Sequence, residues 1–171
     1  MFKQKKQPFE GIISGPVQAQ ATLHGSALAP TLTGTVQFYP AGQGTLVVAR
    51  VENLPEHTPA VLDKPPVGPF GFHIHEGPTC GVDMGQEAFP GAGGHFNPTN
   101  QYHPQHAGDL PVLFSNHGFA WMAVYTARFT PAQVIGRTVI VHQSPDDYRS
   151  QPAGNSGARI GCGVIQAAGT L

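Results

Sequence analysis

The chain has 171 residues, enough for one domain with a sizeable core, and its formal net charge of −1 gives no general attraction to nucleic acid or to a membrane surface. Only 11% of residues are charged, against roughly a quarter in an average globular protein. The 22 glycines and 17 prolines, set among alternating apolar runs that bring the hydrophobic share to 40%, point to short strands joined by many turns rather than to disorder.

Residues 1 to 16 read as a flexible N-terminal arm, with Lys3, Lys5 and Lys6 as a solvated tail, and residues 17 to 171 as the folded domain. The start, MFKQKKQPFEGIISG, has a charged beginning but lacks the apolar stretch of a signal peptide. No run approaches the roughly 20 apolar residues of a membrane span. The expected location is cytoplasmic, unless an export signal precedes the sequence. From Val17 the pattern has period two: Val17, Ala19, Ala21 and Leu23 alternate with Gln18, Gln20, Thr22 and His24, as in a half-buried strand. LTGTVQFYP repeats the pattern, PAGQG makes a turn, and TLVVARVENLP makes a third strand. The Pro-rich connection PEHTPAVLDKPPVGP cannot be an interior strand, because proline donates nothing to a ladder. FGFHIHEG resumes the strand pattern. Residues 77 to 116 form a long Gly/Pro/Asn-rich loop, of a length that usually carries function. GFAWMAVYTARF, GRTVIVH and ARIGCGVIQAA are further strands, and TPAQVIG allows one short helical turn. The pattern predicts an all-β sandwich or flattened barrel of seven or eight antiparallel strands with long loops.

In a strand, alternate side chains share a face, so His73 and His75 of FHIHEG point one way while Phe72 and Ile74 point the other. Alone, such a pair is more often two exposed strand histidines than a bidentate metal site. However, five of the nine histidines (His73, His75, His95, His103 and His106) lie between positions 73 and 106. The series ends with Asp109, and His142 closes the strand TVIVH. Imidazole suits copper and zinc alike. Six histidines and one carboxylate are too many for a single four-coordinate ion, but they fit two adjacent ions if one imidazole uses both of its nitrogens.

At these residues the chain resembles the copper/zinc superoxide dismutases. GFHIHEG, GGHFNP, HAGDLP, GRTVIVH, PDDY and GNSGARIGCGVI occur in that family's order and at nearly its spacings, over about residues 17 to 167. The resemblance implies an eight-stranded Greek-key β-barrel. It also implies His73, His75, His95 and His142 as copper ligands, and His95, His103, His106 and Asp109 as zinc ligands, with His95 bridging. An open all-imidazole site accommodates both copper oxidation states, while three nitrogens and a carboxylate make a closed tetrahedral zinc site. Asp146 matches the carboxylate that holds one histidine from each site and fixes its tautomer. Arg159 matches a guanidinium over the copper that draws in and orients a small anion. Cys80 and Cys162, the only cysteines, match a disulfide. Closing a loop of that length stabilises by about 4 kcal/mol in the chain-entropy model.

The function so implied is disproportionation of superoxide to oxygen and hydrogen peroxide, with His95 releasing copper on its reduction and carrying a proton to the product. Superoxide dismutase is itself a standard example of diffusion-limited, electrostatically steered catalysis, so a fast rate is inherited from the resemblance. The alternative is a dismutase-like module that holds metal without turnover; no copper ligand is missing to favour it. The expected partner is superoxide, with no nucleic acid and no membrane, and a homodimer is compatible with the resemblance. Four departures stand out: the longer Pro-rich connection at 55 to 69, a segment from Ser144 to Ala158 with Arg149 but no lysine, Ala153 where many members have threonine, and only Pro104 and Gln105 between His103 and His106. A tight turn with Pro104 as its second residue is expected to bring His103 and His106 to one ion, since three virtual bonds span at most about 11 Å.

Overall fold

The computed structural model describes residues 15–81 and 88–169; of the expected arm, residues 1 to 14 lie outside this range. Seven strands form one curled antiparallel sheet: β1 (Ala19–Gly25), β2 (Thr33–Ala41), β3 (Gly44–Glu52), β4 (Phe72–His75), β5 (Ala120–Thr126), β6 (Thr138–His142) and β7 (Arg159–Ala167). Their order is β4-β6-β7-β1-β2-β3-β5. The chain therefore crosses from one side of the sheet to the other between β3 and β4, and back again between β4 and β5. Such long returns give the sheet its Greek-key connectivity.

The alternation read from the sequence is the alternation observed. In β1, Ala19, Ala21 and Leu23 are buried while Gln20, Thr22 and His24 face out. The β2–β3 hairpin closes over Gly42 and Gln43, with Gly42 in the left-handed region at φ 57° that tight hairpins favour. Leu23, Leu32, Val36, Phe38, Phe70, Phe72, Ile74 and Ile165 fill the main core. A smaller cluster of Phe89, Ala92, Ile140 and Cys162 sits on the other side of the sheet. The short turn expected in TPAQVIG is a single helical turn, α1 (Pro131–Val134), with a capping box between Thr130 and Gln133.

Seven strands are found among the described residues where the resemblance implied eight. Between Phe70, just before β4, and Leu113, on the way to β5, a single isolated bridge forms where a ladder would make a further strand. Pro69 and Pro111 stand beside it and have no N–H to extend a ladder, and the Val112 N–H goes instead to the Tyr148 hydroxyl. The Pro-rich connection is a small arm of its own, held by bridges from Thr58 to Val67 and from Val61 to Lys64.

All four residues of β4 are buried, which no alternating surface strand would show. Phe72 and Ile74 belong to the main core. The opposite face, carrying His73 and His75, lies under the loops at 88 to 116 and 143 to 158, and it is there that the polar residues collect.

Candidate metal centre

Loop segments lie against β4 and thereby fix the histidines. The Phe96 N–H donates to the Ile74 carbonyl (2.8 Å), the Ile74 N–H to the Gly108 carbonyl (2.9 Å), and the Gly108 N–H to the Phe96 carbonyl (2.9 Å). This triangle sets His95 opposite His75 and Asp109 opposite His73. Gly108 is required for it, since a Cβ there would collide with the Ile74 carbonyl oxygen. On β6, His142 follows Thr138 and Ile140 on the face that pairs with His73 and His75, and the register irregularity beside it leaves the extra residue, Ile160, on β7, with Arg159 opposite His142.

The result is two adjoining groups of ligating atoms: His73, His75, His95 and His142 in one, and His95, His103, His106 and Asp109 in the other, the atoms of each group within 4.8 Å of one another. His95 belongs to both. The shortened turn does bring its rings together, with the centroids of His103 and His106 5.5 Å apart. Its geometry differs from expectation: the turn runs from Tyr102 to Gln105, so Pro104 is its third residue, following a cis bond, rather than its second.

Hydrogen-bond partners determine the tautomers. A carbonyl can only accept, so the bonds from His75 Nδ1 to the Gly93 carbonyl (2.9 Å) and from His142 Nδ1 to the Gly157 carbonyl (3.1 Å) place the protons on Nδ1. The two Nε2 atoms are then lone pairs, and they face each other at 3.3 Å. Asp146 accepts from His73 Nε2 (2.7 Å) and His103 Nε2 (2.9 Å), leaving the Nδ1 lone pair of each ring inward. His73 Nδ1, His95 Nε2 and His103 Nδ1 are buried without a hydrogen-bond partner. His103 Nδ1 instead lies 3.1 Å from the Asp109 carboxylate, an arrangement of two electron-rich groups. Buried lone pairs directed at one another and at a carboxylate are unfavourable unless a cation lies between them. The residues therefore fit a metal pair: four imidazole nitrogens on one side, three nitrogens and a carboxylate oxygen on the other.

The electrostatics agree with this fit. Burial pulls the pKa of His73 and His75 well below the usual imidazole value, with neighbouring histidines adding to it, and lowers His142 to about 4. His106 is lowered by the same desolvation. Burial pushes Asp109 upward, but hydrogen bonding from His95 and the neighbouring imidazoles outweigh it and leave its pKa lowered. At neutral pH these histidines are uncharged and Asp109 is ionised, the forms that bind metal.

Arg159, which the resemblance matched to a guanidinium over the copper, lies beside the first group. Its Nη1 donates to the Phe89 carbonyl (2.8 Å) and its Nη2 to the Gly93 carbonyl (2.7 Å), the carbonyl that also receives His75 Nδ1. It lines a cavity of about 580 Å³ with His75, His95, His106 and His142. Cys80 and Cys162 form a disulfide with a Cα–Cα distance of 5.7 Å, tying the loop after β4 to β7 beneath Phe89 and Ala92.

Several contributors carry no recognisable signal in the sequence. Glu76, Asn97 and Asn100 also line the cavity. Gly154 (φ +68°) lets the backbone pass against Asp146 and His103, where a Cβ would collide with the Asp146 carboxylate. GNSG carries a turn signal, but nothing in it says which side chain the turn must clear.

Three comparisons bear on this centre. The family model described as copper/zinc superoxide dismutase (SODC) matches residues 32–165. A Cu-Zn superoxide dismutase from Deinococcus radiodurans is 37% identical over 153 residues, covering 80% of this chain and 78% of its own. One from Photobacterium leiognathi is 35% identical over 155 residues, covering 82% of this chain and 89% of its own. Among solved structures, a Cu/Zn superoxide dismutase from Brucella abortus superposes with a TM-score of 0.69 at 30% identity, over 87% of this chain and 100% of that one.

Proposed function

The chain belongs to the copper/zinc superoxide dismutase family, and on that premise we propose that it disproportionates superoxide, with His73, His75, His95 and His142 holding copper and His95, His103, His106 and Asp109 holding zinc. Two superoxide anions and two protons give one oxygen and one hydrogen peroxide. The observation that carries the ligand assignment is the set of inward lone pairs, above all the His75 and His142 Nε2 atoms facing at 3.3 Å with both Nδ1 atoms already committed. Copper held by the first group would supply the one-electron couple, and zinc held by the second would fix His95 in place.

The protein's own residues do the rest. Arg159, fixed by two backbone carbonyls, presents positive charge beside the histidine face and draws a small anion into the cavity. His95 Nε2, buried and without a protein partner, is the atom that would take up a proton whenever it is not ligating and pass it to the peroxide product, while solvent supplies the second. Asp146 grips His73 and His103 at once, so a shift of either ring is felt by the other. The disulfide braces the segment whose carbonyls aim Arg159.

The test is metal analysis and a superoxide-decay assay on one purified sample. Copper and zinc near one each per chain, with rapid decay that chelation abolishes, is the expected result. Both metals without turnover would make the domain a metal-holding module instead.

A further inference from the structure

The segment from His103 to Asp109 provides three of the atoms in the second ligand group, yet little within the segment holds it. Its own bonds are Gln105 N–H to the Tyr102 carbonyl, Asp109 N–H to the His106 carbonyl, and His106 N–H to Asp109 Oδ2, whose acceptor belongs to a ligand carboxylate. Pro104 has no N–H to anchor the turn. Ala107 belongs to the main core and Gly108 is hydrogen-bonded to Ile74 and Phe96, but Pro104 and Asp109 border a cavity of about 490 Å³ that Arg128 and Tyr148 also line. Beside this cavity, hydrogen bonds from outside the segment supply what packing does not.

Two side chains do this. Arg128, just beyond β5, directs Nη1 at the carbonyls of Pro104 (3.2 Å), His106 (2.9 Å) and Asp109 (3.4 Å). Its base is fixed: the Arg128 N–H donates to the Thr126 hydroxyl, and the carbonyl of buried Phe129 accepts from the Thr45 hydroxyl. Gln151 comes from the loop that carries Asp146. Its Oε1 accepts from the His103 N–H (3.1 Å), and its Nε2 donates to the His103 carbonyl (2.6 Å). Such a reciprocal pair needs a donor and an acceptor on one side-chain end, which an amide supplies and a carboxylate does not. Neither residue belongs to either group of ligating atoms.

We propose that Arg128 and Gln151 are positioning residues that hold the His103–Asp109 segment in its ligating posture and thereby set how long zinc is retained. The proposal rests on the zinc assignment above. The two residues grip opposite parts of the segment: Gln151 the His103 end, Arg128 the turn and the Asp109 end.

The experiment measures zinc release from the fully metallated protein into a chromophoric chelator, alongside copper content and the melting temperature of the metal-free protein. Arg128→Met and Gln151→Leu are each expected to speed zinc release about tenfold or more, in the range found when outer partners of metal ligands are lost. Copper content and metal-free melting temperature should stay near native values, a separation that a merely structural role would not produce. Arg128→Lys should restore part of the retention, since an ammonium can still reach the carbonyls. Gln151→Glu should restore little, because its carboxylate would face the His103 carbonyl. Native zinc release in both Arg128→Met and Gln151→Leu would overturn the proposal, as would parallel losses of copper, zinc and metal-free stability. A native protein that takes up no zinc at all would overturn the zinc assignment itself, and the proposal with it.

Discussion

His73, His75 and His142 stand on β4 and β6, paired residue by residue within a sheet, with Phe72 and Ile74 in the core behind the first two. His103, His106 and Asp109 stand on a loop that pairs with β4 only through Gly108 and Asp109, borders a cavity at Pro104 and Asp109, and is held by side chains from elsewhere in the chain. His95 joins the two halves. The strand-built half inherits its geometry from the ladder, where side-chain direction follows from backbone register. The loop-built half must be assembled contact by contact. His73, His75 and His142 are displaced further from ordinary imidazole behaviour by desolvation than His106 is. One half is therefore preorganised by the fold, and the other by a small number of polar contacts.

The sharpest way to break this contrast is to remove one ligand from each half. His142→Ala should cut superoxide decay by about 100-fold or more, beyond what loss of an outer partner usually does, and should leave a folded β protein by circular dichroism. His106→Ala should cost less activity and more of the stabilisation that metal confers. Equal losses of activity, with metal content verified in both, would show the halves to be functionally alike.

Arg159 tests the strand-built half without touching a ligand. Arg159→Glu reverses the charge at the cavity mouth, so the second-order rate at low ionic strength should fall about tenfold or more, the lower end of what steering contributes. Copper content should change little. A rate near native, measured by stopped flow at low salt, would remove the guiding role.

Two glycines address the loop-built half. Gly154 and Gly136 both have positive φ, but a Cβ on Gly154 meets Asp146 and His103, while one on Gly136 meets nothing within 4 Å. Gly136→Ala should lose about 1–2 kcal/mol, the strain of a left-handed residue alone. Gly154→Ala should lose more and should shed zinc as well, which denaturant titration and metal analysis together would show. Equal losses would mean that Gly154 matters only for its backbone angle.

The smallest effect expected is on the metal-free protein in mild acid. A histidine whose folded pKa lies below its unfolded value makes the unfolded chain bind more protons between the two, so stability falls as pH falls. For His142 the window runs from about 6.5 down to about 4. His73 and His75 shift in the same direction. The denaturation midpoint of chelated protein should decline steadily from pH 7 to pH 5. His142→Gln should flatten that decline more than His106→Gln does; the reverse order would contradict the larger shift at His142.

What can be read from the sequence follows the same division. The H-x-H spacing on a strand is a local, periodic signal, and by itself it puts His73 and His75 on one face. The strand runs and turns are legible for the same reason. The number of strands is less so, because whether Phe70 and Leu113 extend into a ladder depends on prolines in two distant segments meeting at one edge. Asp146 and Arg159 are legible only through the resemblance, since an aspartate in a turn and an arginine at a strand start carry no signal of their own. Arg128 and Gln151 give none at all: both act on backbone carbonyls far away in sequence, and a carbonyl has no letter. The position of Pro104 within its turn is equally hidden, because the ligand spacing suggests a turn starting at His103, whereas the hydrogen bond that closes it starts at Tyr102.

β4 has a consequence for how this sequence can drift. Its four residues divide two and two between an oily interior and an ion-binding face, and neither face is open to water. Adding or deleting one residue within it would exchange the faces, pushing imidazoles into the core and a phenyl ring into the ligand cluster. No neighbouring substitution could repair both errors together. Over evolutionary time β4 can therefore accept like-for-like replacements at Phe72 and Ile74, but no change of length. The arm at 55 to 69, whose bridges at Thr58–Val67 and Val61–Lys64 join it to itself, can lengthen or shorten at its tip without moving a single ligand.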